Sequence, residues 1–208
     1  MRLRLMTDNI NAYLEATDII NFKYKLPCKI TNLSKEIKTY SIDNIDYIKN
    51  AFEYVRDEIS HSADIKGSIV NCKASDVLTA KEGICYAKAH LLAAILRCNN
   101  IPAGFCYQRL ILCDETSPIL VVHGLNAVFI EKISRWIRLD ARGNKNGVNA
   151  QFSLEHEILA FPIRVENGEE DIPIIYDSPD ENVIKALTEN KTLEQLWANL
   201  PNDIYRPE

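Results

Sequence analysis

The sequence predicts an α+β fold in which helices come first and an antiparallel sheet follows. Three observations predict it. Residues 44–59 repeat apolar side chains at helical spacing. Residues 84–98 are apolar nearly all round, the pattern of a helix central to a domain. Strand-like runs then follow one another at 103–112, 119–130 and 135–140 over short connections. Segregated rather than alternating elements favour an antiparallel sheet.

Taken in order, residues 1–33 are weakly patterned and read as strands or an extended arm. In 44–59, Ile45, Ile48, Phe52, Val55 and Ile59 form one stripe, with Ser41 or Asp43 as the N-cap. Residues 60–74 read as a loop. A short helix over 74–80 ends at Lys81-Glu82-Gly83. Asn99-Asn100 stops the 84–98 helix, and Ile101-Pro102 redirects the chain, because proline disfavours helical backbone before it. Glu131–Ser134 reads as the turn of a hairpin between 119–130 and 135–140. A polar loop occupies 141–152, and further strand-like pieces lie at 158–165 and 172–176. Ser178-Pro179-Asp180-Glu181 and Thr192-Leu193-Glu194-Gln195 start two short closing helices, and Pro201 ends the second. The expected organisation is a single domain over 1–208, with a core at about 44–176, an N-terminal arm over 1–33 and C-terminal helices within 178–200.

Composition narrows the function. The chain has 208 residues and a net charge of −5, with no dense Lys/Arg stripe, so nucleic acid and anionic membrane are poor partners. The start of the chain lacks the apolar run of a signal peptide, and no run of about 18 apolar residues occurs, so a cytoplasmic protein is expected. Six cysteines form no CxxC pair and no zinc-finger spacing with histidine, so neither metal nor other cofactor is expected. In a reducing compartment most of them should be small buried apolar residues.

Cys85 is the exception. It opens the apolar helix after Gly83, where unpaired backbone N–H groups and the positive end of the helix dipole favour a thiolate. A nucleophilic thiol needs a partner that moves protons, which histidine does near neutral pH. Of the four histidines, His123 stands out because it interrupts a strongly apolar strand. If Ile130 faces Arg135 across the hairpin, Leu125 opposes Asp140 and His123 opposes Arg142. His123 and Asp140 then share a face as diagonal neighbours, about 7–8 Å apart at Cα and within side-chain reach. The expected relay is Cys85 as nucleophile, His123 as proton carrier and Asp140 as its orienting carboxylate. The oxyanion donor stays open among the backbone N–H of Cys85 and the side chains of Asn71, Lys73 and Tyr86, with Asn71 also readable as a turn residue. Tyr107 and its neighbours are candidates to line a groove.

The runs GICYAKAHLLAAILRCNNIPAGFCYQRL, HGLNAVFI and RWIRLDARG resemble the transglutaminase-like superfamily. They occur in its order: a Gly-x-Cys helix start, an Ile-Pro-Ala turn into a strand, a strand His, and a Trp-x-x-x-Asp strand. The resemblance spans roughly residues 70–145 and extends to small single-domain microbial members. It implies a papain-like core, a nucleophile helix packed on an antiparallel sheet, with Cys85, His123 and Asp140 matching the functional positions. It also implies acyl transfer through a thioester on an amide or peptide, to water or to an amine. Hydrolysis is favoured, because a short chain has little room to shelter the thioester from water. A non-enzymatic peptide- or protein-binding module on the same fold is the alternative, and a protein, peptide or small amide is the expected partner. The sequence departs from the pattern at Tyr86, where Trp is common, at Gly124 to Ala127, which lack the usual Trp and Glu, and at Asn99-Asn100, where a Gly is common.

Overall fold

A computed structural model of the chain describes residues 3–22, 29–112 and 119–207. Its elements are β1 (Arg4–Leu5), α1 (Lys29–Tyr40), α2 (Asn44–Glu58), β2 (Ser60–His61), α3 (Ala74–Ala80), β3 (Glu82–Gly83), α4 (Cys85–Cys98), β4 (Ala103–Ile111), β5 (Leu120–Ile130), β6 (Arg135–Leu139), β7 (Glu170–Tyr176), α5 (Glu181–Glu189) and α6 (Leu193–Ala198). The five-stranded sheet runs β1-β7-β4-β5-β6, antiparallel throughout except for the parallel β1/β7 edge. This is an α+β arrangement, with helices covering an antiparallel-rich sheet.

The central helix is α4. From Tyr86 to Arg97 every residue is buried. Three of these are polar, and each is satisfied by backbone carbonyls, as burial requires. Lys88 donates to the carbonyls of Arg56 and Ile59. His90 Nδ1 pairs with the Cys72 carbonyl at 2.7 Å. Arg97 donates to the carbonyls of Glu15, Ala103 and Asp177.

Two contacts lock α4 against β5. The Tyr86 hydroxyl donates to the Val122 carbonyl. One turn further on, buried Asn126 donates to the Ala89 carbonyl at 3.0 Å. Between them lies Gly124, where a Cβ would stand 2.7 Å from the Tyr86 ring. Glycine is therefore required by close approach, not by backbone angle. The helix and the strand are fixed in register where Cys85 and His123 lie.

The hairpin forms as its pattern predicts: Ile130 pairs with Arg135 and Asn126 with Leu139. Asp43 caps α2, accepting from the Asp46 amide at 2.9 Å. Other elements correct the sequence reading. Residues 29–40, partly assigned to an extended arm, form α1, whose buried face is Ile30, Leu33, Ser34 and Ile37. Residues 158–165 are not a strand; only a bridge from Gln151 to Ile158 occurs there. The loop after α2 contains β2, which pairs in parallel with β3 just before α4. Cys28 and Cys113, and parts of the arm over 1–33, lie outside the described residues. Of the remaining cysteines, Cys72 and Cys106 are buried, and Cys85 and Cys98 are partly exposed.

Candidate active site

Cys85 is the first residue of α4. Its N-cap, Ile84, offers no side-chain hydrogen bond, so the first-turn amides of this helix are not capped from that side chain. Cys85 is partly exposed and lines a cavity of about 750 Å³. Gly83, just before α4, packs closely on the helix: a Cβ there would stand 3.1 Å from the Ala87 Cβ.

His123 projects from β5 into the same cavity. Its Nε2 meets Asp140 Oδ2 at 2.8 Å. Nδ1 is the nitrogen left to face Cys85, which lines the same cavity. Phe161 stacks edge-on against the imidazole at 5.1 Å between ring centres. Burial alone would lower the His123 pKa, but the negative charge of Asp140 and the sulfur of Cys85 outweigh it and push the value up to about 10.

Asp140 follows β6 directly and is 1% exposed. Besides His123, it accepts from the Arg142 amide through Oδ1 and from the Ala160 amide through Oδ2, each at 3.1 Å. Burial would raise its pKa; His123 and these two amides hold it low instead. The carboxylate is thus a fixed, charged acceptor with little freedom to turn. The predicted hairpin register brings His123 and Asp140 together, and the α4–β5 lock brings Cys85 to them.

The other sequence candidates have different surroundings. Asn71 donates to the Glu82 carbonyl at 3.1 Å and braces β3 from within the core. The buried Tyr107 hydroxyl accepts from the Asp180 amide at 2.9 Å, holding the start of α5. Neither side chain lines the cavity. Lys73 is the N-cap residue of α3 and is exposed. Tyr86 borders the cavity, but its hydroxyl is committed to Val122.

The structure adds residues that sequence patterns did not single out. His61, from β2, lines the cavity and is 8% exposed. Asp64 binds Arg142 and Lys145 at one end. Burial would raise the Asp64 pKa, and these two cations hold it low. Apolar side chains also line the cavity, among them Leu110, Val121, Phe161, Trp197 and Leu200. Local sequence carries no signal for this wall, since its members come from β4, β5, α6 and two loops. Among the described residues no cluster of three His, Cys, Asp or Glu side chains is arranged to hold a metal ion.

A thiol at the tip of a buried helix, set against an antiparallel sheet that carries an imidazole and a carboxylate, defines the papain-like class of core. Residues 31–141 match the sequence model of the transglutaminase-like superfamily, and the chain belongs to that superfamily. No curated protein is similar enough in sequence to count as a match. Among solved structures, a candidate cysteine protease from Cytophaga hutchinsonii aligns at 17% identity over 66% of this chain and 43% of its own, with a TM-score of 0.47. The periplasmic domain of TgpA from Pseudomonas aeruginosa aligns at 14% identity over 59% of this chain and 44% of its own, with a TM-score of 0.42. A TGase aligns at 17% identity over 62% of this chain and 32% of its own, with a TM-score of 0.38. The aligned part of the chain spans less than half the length of each of these structures.

Proposed function

We propose that this chain is a cysteine-dependent acyl-transfer enzyme that cleaves an amide through a thioester, with water as the acceptor. One observation carries the reading: His123, hydrogen-bonded to a buried Asp140, shares a cavity with Cys85 at the tip of α4. His123 takes the thiol proton, and the sulfur attacks the amide carbonyl carbon. A C–S bond forms and the carbonyl π pair moves onto oxygen. Collapse restores the carbonyl and breaks the C–N bond, while His123 passes its proton to the departing amine. Water then gives a proton to His123 as its oxygen bonds the same carbon. The C–S bond breaks, and the proton returns to sulfur.

The high pKa of His123 suits the first step, because the imidazolium formed keeps its proton near neutral pH. Asp140 orients the ring and stabilises that charge. The partial exposure of Cys85 supports water as acceptor. The apolar wall from Leu110 to Leu200 favours an apolar side chain on the acyl half of the substrate.

Competitive alkylation tests the reading. Cys85 should react with iodoacetamide at neutral pH much faster than Cys72, Cys98 and Cys106, as followed by peptide mass spectrometry. His123→Gln should remove that advantage. Equal labelling of Cys85 and Cys98 would refute the enzyme and leave a binding module on the same fold.

A further inference from the structure

An attacked carbonyl needs hydrogen-bond donors aimed at the oxygen that gains charge. Asn71 and Tyr86, two donors the sequence offered, already donate to carbonyls elsewhere, and Arg142 and Lys145 in the cavity wall are bound to Asp64. His61 remains. It lines the cavity that holds Cys85 and His123 and is nine-tenths buried; its Nδ1 is sealed off without a hydrogen-bond partner among the described residues, which leaves Nε2 to face the cavity. A neutral imidazole that gives its buried side no partner has only the cavity in which to use its N–H, and native folds satisfy nearly all buried polar groups.

The backbone explains how the ring reaches this place. His61 pairs with Gly83 across the parallel β2–β3 ladder, two residues before Cys85. The Ser62 amide donates to the Gly83 carbonyl, and the amides of Asp64 and Ile65 fold back onto the His61 carbonyl. The loop after His61 is thereby turned tightly, and the histidine is held at the mouth of α4.

Two histidines in one cavity are tuned in opposite directions. His123 is raised, as described. For His61, burial first and the Arg142 guanidinium second lower the pKa to about 3. The ring is neutral at physiological pH and carries one N–H. A neutral imidazole stabilises a developing oxyanion without competing for the proton that His123 moves.

We propose that His61 is the side-chain donor of the oxyanion site, acting together with the backbone N–H of Cys85 on the oxygen of the tetrahedral intermediate. The assignment rests on the acyl-transfer reading of the same cavity.

Two reagents separate the roles. p-Nitrophenyl acetate acylates a thiol through an oxyanion, while iodoacetamide alkylates it by displacing iodide from a saturated carbon, with no oxyanion formed. In the full chain, His61→Ala should lower the nitrophenolate burst rate roughly 10²-fold. Its Cys85 alkylation rate should stay at the wild-type value. His61→Gln, which restores an N–H and preserves bulk, should recover part of the burst, and it provides the comparison if the alanine variant is poorly folded. An unchanged burst in both variants, or an equal fall in burst and alkylation, would overturn the assignment. A wild-type burst that survives Cys85→Ala would instead overturn the acyl-transfer reading itself, and the role of His61 with it.

Discussion

Gly124→Ala tests how the site is aligned. The added methyl would stand 2.7 Å from Tyr86 Cδ1, against about 3.4 Å for ordinary contact, so the ring must retreat by about 0.7 Å. Overpacking of this kind costs about 1–3 kcal/mol. The retreat also pulls the Tyr86 hydroxyl from the Val122 carbonyl, and an unpaired buried partner adds about 1–3 kcal/mol. The total, roughly 2–5 kcal/mol, leaves a domain of ordinary stability folded. Thermal unfolding should shift down by about 10 °C. The consequence for chemistry is larger, because Tyr86 follows Cys85 and Gly124 follows His123. A displacement approaching 1 Å between nucleophile and base costs about 10²-fold in rate. The assay is the p-nitrophenyl acetate burst beside a thermal melt, repeated in a Tyr86→Leu background, where the shorter side chain makes room. The burst loss should be smaller there, giving a non-additive cycle. A Gly124→Ala protein within about 0.5 kcal/mol of wild type and with an unchanged burst would refute the close-approach argument.

Further tests address the remaining parts. Asp140→Asn should keep the fold and lower burst turnover by about 10²–10⁴-fold, because the amide holds the imidazole without stabilising its charge; stopped-flow measurement of turnover checks this, and unchanged turnover would remove Asp140 from the mechanism. Stability should follow the two charges. His123 is raised above its unfolded value of about 6.5, so its contribution is complete below about pH 6.5 and is lost as pH rises through about 10. Asp140 is lowered, so its contribution is present above about pH 4 and is lost in stronger acid. Denaturant melts of wild type and Asp140→Asn should therefore differ most between about pH 4 and 6.5 and converge toward pH 10. A gap that is constant with pH would contradict the ion pair.

Much of the site was legible because it depends on local rules. The apolar circumference of 84–98 marks a central helix, and the even-length turn after Ile130 puts His123 and Asp140 on one face. Helix α1 was missed although Ile30, Leu33 and Ile37 carry helical spacing. Its fourth inward residue is Ser34, polar in sequence but paired in the core with the Tyr47 hydroxyl at 2.7 Å. The segment 158–165 looked strand-like, yet the Ala160 amide is spent on Asp140 and Pro162 has no amide to give a ladder. The insertion of β7 between β1 and β4, and the assembly of His61, Phe161 and Trp197 around one cavity, come from long-range closure. Nothing in the neighbouring sequence announces such meetings.

The Arg97 guanidinium bears on where the chain can be cut. It joins carbonyls at Glu15, Ala103 and Asp177, and the first and last of these lie outside the stretch matched to the superfamily. A fragment trimmed to that stretch would leave a positive charge in its interior with two of its three anchors gone, and would also lack the strand beside β4. Shortened versions intended for crystallisation or assay must therefore retain both outer segments, or the helix that presents the thiol loses its footing.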